Sequence, residues 1–106
     1  MLTMARDDGE DRQSLAEALA AITQACQDAA STVDAMEQPE EALTAAEALQ
    51  DEIGRQRGLM AQLRGRQMER IRVARKYSLA ELGRRYSISK NRVYQITHAG
   101  KQDEQQ

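Results

Sequence analysis

Apolar residues recur through the first third of the chain at Leu15, Leu19, Ile22, Cys26, Ala29, Val33 and Met36, spaced 4, 3, 4, 3, 4 and 3. Only an α-helix brings such positions onto one face, and this spacing is the heptad pattern of helices that pack along a seam. Ala16, Glu17, Ala18, Ala20, Ala21 and Gln24 between them favour the helix. The pattern predicts a helix over 11–37, after a polar leader over 1–10. Pro39 then sets a limit. It has no amide hydrogen and its ring clashes with a preceding helical turn, so it cannot continue that helix. It suits the first position of a new one, where Glu40 and Glu41 complement the positive end of the helix dipole. The short connection favours an antiparallel hairpin.

A second stripe follows at Ala42, Ala46, Leu49, Ile53, Met60 and Leu63, with Gln56 filling one heptad place. Gly54 and Gly58 fall inside it, and each costs on the order of 1 kcal/mol relative to Ala in a helix. They mark either a bend or break, or a place where another helix comes close; the reading adopted is one long helix with a weak point. From Arg64 to Lys76 the chain is basic, with Met68, Ile71 and Ala74 on one face. This segment is expected to form the first helix of a separate C-terminal domain. Gly65 sits between Arg64 and Arg66 without a following Pro, and carries no expected role of its own.

Charge divides the chain sharply. Residues 1–53 hold thirteen Asp or Glu against two Arg, a net of −11. Residues 54–101 hold thirteen Lys or Arg against two Glu, a net of +11. A basic half of that density suits a polyanionic partner; the acidic half reads as a solvated face. The single cysteine, Cys26, excludes an intrachain disulfide and a cysteine zinc site, and reads as a small core residue. The longest purely apolar run, Ala18 to Ile22, is far too short to cross a membrane. A cytoplasmic, nucleoid-associated protein without membrane contact is expected. No nucleophile–base pair, paired catalytic carboxylates or cofactor loop is visible, so neither an enzyme nor a cofactor or metal is expected.

The most specific chemistry lies between Ser78 and Ile96. Ser78-Leu79-Ala80-Glu81 has the form of a capping box and predicts a helix start just after Tyr77. Leu79, Leu82 and Tyr86 are expected to face inward, and Gly83 to permit a close pass of the next helix. Ser87-Ile88 forms the turn, with Ile88 in the core, and Ser89 caps a second helix whose buried stripe is Val93 and Ile96. Lys90, Asn91, Arg92, Tyr94, Gln95 and His98 are left facing outward. Arg pairs with guanine through two hydrogen bonds, and Asn or Gln does the same with adenine. The expected base readers are therefore Lys90, Asn91, Arg92, Gln95 and Tyr94, the last of which could instead pack on its own domain. Ser89, Arg84, Arg85, Arg70, Arg72, Arg75 and Lys76 are the expected phosphate contacts. His98 is read as a helix C-terminal residue favouring the dipole.

The segment "SLAELGRRYSISKNRVYQI", Ser78 to Ile96, resembles the helix-turn-helix of region 4 of bacterial sigma factors. It is also similar to the wider helix-turn-helix superfamily of repressors. The resemblance covers the C-terminal half only and none of the heptad region. It implies that the helix from Ser89 to about Ala99 is a recognition helix placed in the major groove. Two departures stand out: Ser87 occupies a turn position often held by Gly, and the chain has no counterpart of the sigma core-binding region 2.

The expected fold is all-α, with an N-terminal antiparallel helical hairpin or coiled coil over 11–58. A helix-turn-helix domain over 59–100 and a disordered tail over 101–106 follow. The expected function is sequence-specific DNA binding and transcription regulation, most naturally bacterial, by a homodimer on double-stranded DNA. Leu15, Leu19, Ile22, Cys26, Val33 and Met36 are the expected dimerisation residues. The alternative is a coiled-coil adaptor whose sigma-like domain binds RNA polymerase or another regulator.

Overall fold

The computed structural model describes residues 8–102, with side chains over 8–100. Four α-helices follow one another: α1 Asp8–Asp34, α2 Pro39–Arg75, α3 Leu79–Tyr86 and α4 Lys90–Gln102. No strand occurs among the described residues, so the all-α expectation holds. The chain divides into two compact units, Met1–Gln50 and Asp51–Gln106. The first part of α2 belongs to one and its remainder to the other.

In the first unit, α1 opens with Asp8, Glu10 and Asp11 in its first turn, where negative charge suits the dipole. Residues 8–10 of the expected leader are thus helical, and residues 1–7 lie outside the described residues. The helix stops at Asp34, short of the expected 37. The Ala35 amide bonds Ser31 O and the Met36 amide bonds Val33 O, each at 3.1 Å, which closes the last turn. Pro39 steers Gln38 away from helical angles, and residues 35–38 form the connection between α1 and α2. Met36, expected to end the apolar stripe, lies in this connection instead and is exposed.

No side chain of α1 is buried. Leu15, Leu19 and Ile22 are 60, 57 and 61 % exposed, and Cys26 is an exposed free thiol rather than a core residue. Among the described residues of this unit only Ala29, Val33, Ala42 and Ala45, all close to the bend, are half-buried. Alanine faces cover little area, so one chain leaves its own heptad seam open to solvent.

α2 begins as expected. Pro39 is its first residue, Glu40 and Glu41 lie in its first turn, and the Ala42 amide bonds Gln38 O at 3.0 Å. The helix runs unbroken through Gly54 and Gly58, and nothing lies within 4 Å of a Cβ built on either. Neither glycine accommodates a neighbour. Arg64 to Arg75, expected as a separate helix, is the final stretch of α2.

In the second unit the core is small and specific. Leu82 of α3 and Val93 of α4 are fully buried, Ile96 and Thr97 nearly so. The Thr97 hydroxyl donates to Val93 O at 3.0 Å and Tyr94 O at 3.1 Å, which removes the penalty of burying it. α2 meets α4 at two buried glycines, Gly65 and Gly100. A Cβ on Gly65 would collide with Ile96 O and the Gly100 backbone. A Cβ on Gly100 would lie 2.6 Å from Arg66 N and 2.8 Å from Gly65 C. The two backbones touch, so no side chain fits between them. Gly83 behaves as expected: its Cβ would stand 2.6 Å from Ile88 O in the following turn.

Both bends in this unit are built alike. α2 ends with Lys76 at φ 56°, where the Tyr77 amide bonds Arg72 O at 2.9 Å. α3 ends with Ser87 at φ 58°, where the Ile88 amide bonds Gly83 O at 2.9 Å. Each is a Schellman closure with a non-glycine residue in the left-handed region. Ser78 then caps α3, accepting from the Glu81 amide at 3.1 Å. Ser89 caps α4, accepting from the Arg92 amide at 3.0 Å. Two of the expected inward residues do not reach the core: Tyr86 is 49 % exposed and Ala74 is exposed. Leu82 closes the core one turn earlier. Tyr86, the last residue of α3, has reached the rim, where an aromatic with a polar tip is tolerated. Leu79, Ile88, Met68 and Ile71 are half-buried.

Two outcomes follow for stability. Gly65→Val should destabilise the second unit by about 2–3 kcal/mol through backbone overpacking, read as a lower urea midpoint. Gly54→Ala and Gly58→Ala, with open space around them, should each stabilise the helix by about 1 kcal/mol, read as a higher melting temperature.

Candidate nucleic-acid interface

α4 presents two chemically distinct sides. Val93, Ile96, Thr97 and Gly100 are buried, whereas Lys90, Asn91, Arg92, Tyr94, Gln95 and His98 are all exposed. Burial of the first set on a helix of 3.6 residues per turn turns the second set to solvent. Every expected base reader therefore lies on the open side of one helix. The packing that aims them is the Leu82–Val93–Ile96 core on one flank and the Gly65–Gly100 crossing on the other.

The start of α4 is electropositive in character. Its first turn holds no acidic residue and begins with Lys90 and Asn91, whose amides have no partner earlier in the helix. The Ser89 hydroxyl already accepts the Arg92 amide, and its own hydrogen is free to donate. Tyr94 is 56 % exposed and stacks on His98, with ring centroids 5.5 Å apart and an angle of 11° between planes. These rings share a cleft with Glu69, Arg72, Leu79 and Thr97. His98 thus serves as a stacking partner, an arrangement its position near the helix end did not reveal.

The expected phosphate contacts are not equivalent. Arg84 and Arg85 are both exposed on α3. The Arg85 guanidinium lies 4.5 Å from the Tyr77 ring centroid, a cation–π contact made by the charged head of an otherwise exposed residue. Arg70 donates to Gln67 Oε1 at 2.7 Å and lines an open groove with Val73, Ala74, Thr97 and Gly100. That groove follows the packed side of α4 rather than the side carrying Asn91 and Gln95. Arg72 Nε donates to Glu69 Oε2 at 3.0 Å and Nη2 to Oε1, a two-pronged ion pair that is only one-quarter to one-third exposed. The hydrogen bond to Glu69 pushes the Arg72 pKa up, so the charge persists but faces an internal carboxylate. Arg75 and Lys76 are exposed at the end of α2.

The geometry thus brings Ser89, Lys90, Asn91, Arg92, Tyr94 and Gln95 onto one helix and leaves Arg84 and Arg85 on the preceding one. It diverts Arg72 into a pair and Arg70 towards a separate groove. The Glu69–Arg72 pair was open to sequence reasoning, since residues three apart on a helix are neighbours. The buried Thr97 and the Gly65–Gly100 crossing carried no such signal. Among the described residues there is no cluster of His, Cys, Asp or Glu suited to a metal ion, and no helix is long and apolar enough to cross a membrane. No protein-family model, no curated protein and no solved structure matches this chain.

Proposed function

We propose that the second unit is a helix-turn-helix module that reads double-stranded DNA in a sequence-specific way, and that the protein regulates transcription. The observation that carries this reading is the outward face of α4. Asn91, Arg92 and Gln95 offer the two-pronged hydrogen-bonding groups that discriminate base edges, on a 13-residue helix whose other side is packed. The major groove admits a helix of this kind. Lys90 and the Ser89 hydroxyl sit at the end of the helix where phosphate is held by free amides and the dipole. Arg84 and Arg85 add charge from α3, within a half of the chain that carries +11.

The competing reading is a protein-binding adaptor. It is favoured by the open groove between α2 and α4, where Val73 is 61 % exposed. A selection of genomic fragments bound by the purified protein separates the two. An enriched common motif supports DNA reading; no enrichment sinks it.

Three further results are expected. Arg92→Ala should weaken binding to the selected site by about 1–3 kcal/mol and relax one base position, in fluorescence anisotropy titrations. Arg84→Ala should lower affinity for every sequence alike and reduce the slope of log K against log salt by about 1. Arg72→Ala should change that slope less than Arg84→Ala, because Glu69 already engages its guanidinium.

A further inference from the structure

The exposed seam of α1 is complementary to itself. Between Leu15 and Val33 its heptad core positions are Leu15, Leu19, Ile22, Cys26, Ala29 and Val33. The positions flanking that core are Ala16, Ala18, Thr23, Ala25, Ala30 and Thr32, so neither class holds a charge. The two threonines are prepared for burial: Thr23 Oγ1 donates to Leu19 O at 3.1 Å and Thr32 Oγ1 to Asp28 O at 2.9 Å. Both hydroxyl hydrogens are thus used within the helix. Glu17, Gln24 and Asp28 occupy outer heptad positions, where Gln13 bonds Glu17 and Gln24 bonds Asp28 along the helix. The seam is uncharged and its threonine hydroxyls are satisfied, yet Leu15, Leu19 and Ile22 stand open to solvent. Exposure of that kind has a hydrophobic cost that a partner helix removes.

We infer that the occupant of this seam is a second copy of α1, running antiparallel, in a two-fold dimer centred on Gln24. The side-chain volumes select that arrangement. Antiparallel pairing about Gln24 sets Leu15 against Val33, Leu19 against Ala29 and Ile22 against Cys26 of the partner. Every layer then holds one larger and one smaller side chain, as close packing requires. The flanks pair Ala16 with Ala30, Ala18 with Thr32, Thr23 with Thr23 and Ala25 with Ala25, small enough for close helix approach. A parallel pair would instead stack Leu on Leu in the first two layers and Cys on Cys and Ala on Ala in the fourth and fifth, leaving voids there. It would also bring the acidic first turns, Asp8, Glu10 and Asp11, of both copies together. A two-fold contact needs residue i to meet j and j to meet i, and this stripe meets that condition over about 27 Å of helix. Ala29 and Val33 are already half-covered beside the bend, and the partner's Leu19 and Leu15 complete their cover. Twelve residues per copy are about half those of a standard interface, so the dimer is expected to be weak and concentration-dependent.

The inference does not depend on DNA binding, and neither does its test. Sedimentation of the full chain over a concentration series up to about 200 μM, high enough to populate a small interface, should reveal a species of twice 11.9 kDa. Leu19→Glu should raise the dissociation constant at least tenfold while circular dichroism of the folded second unit persists. In a Cys26→Ala background, Leu19→Cys combined with Ala29→Cys should oxidise to a covalent dimer, whereas Leu19→Cys alone should not. Within one helix those two positions are about 15 Å apart, too far for an internal bridge. A chain that stays at 11.9 kDa throughout overturns the inference. Cross-linking by Leu19→Cys alone overturns the antiparallel register.

Discussion

Two helix backbones touch where Gly65 of α2 meets Gly100 of α4, and the second unit is organised around that crossing. Side chains normally keep helix axes 8–10 Å apart; with hydrogen atoms in their place, α4 settles directly onto α2. That closeness lets a core of Leu82, Val93 and Ile96, with Thr97 beside them, serve an entire three-helix arrangement. It also decides which residues of α4 look outward. Anything larger at either glycine would lift α4 and redirect Asn91, Arg92 and Gln95 together.

Three serines then shape the path around α3, two as helix caps and one through its backbone angle. Ser78 and Ser89 accept amides that have no carbonyl partner in the first turns of α3 and α4. Ser87 adopts φ 58°, a conformation more often taken by glycine, so that the chain can leave α3 and turn within three residues. An eight-residue helix such as α3 has little stability alone. Its two ends, the buried Leu82 and the close pass at Gly83 hold it in place.

The first unit follows a different logic. Its seam is as regular as that of a coiled coil, but one chain covers almost none of it. Regular spacing states that a helix has an apolar side; it does not state what covers that side. The charge pattern has a similar limit. A sum of +11 over 54–101 counts Arg72 and Arg84 equally, although Arg72 is turned into a pair with Glu69 and Arg84 is exposed.

Features governed by near neighbours were legible in the chain. The start of α2 at Pro39, the capping role of Ser78, the tight pass at Gly83, the burial of Leu82, Val93 and Ile96, and the outward face of α4 all follow from spacings of a few residues. Helical periodicity and capping act over that range. Helix ends were less legible: α1 stops at Asp34 because the connection before Pro39 takes residues that periodicity alone assigns to the helix. What only the tertiary structure decided are meetings between distant segments. Gly65 and Gly100 became contact points, Thr97 became core, Tyr86 fell at the rim, and Arg70 turned to a groove beside α4. The reason is physical: burial depends on which surface arrives from elsewhere in the chain, whereas helix formation and capping depend on the residues at hand.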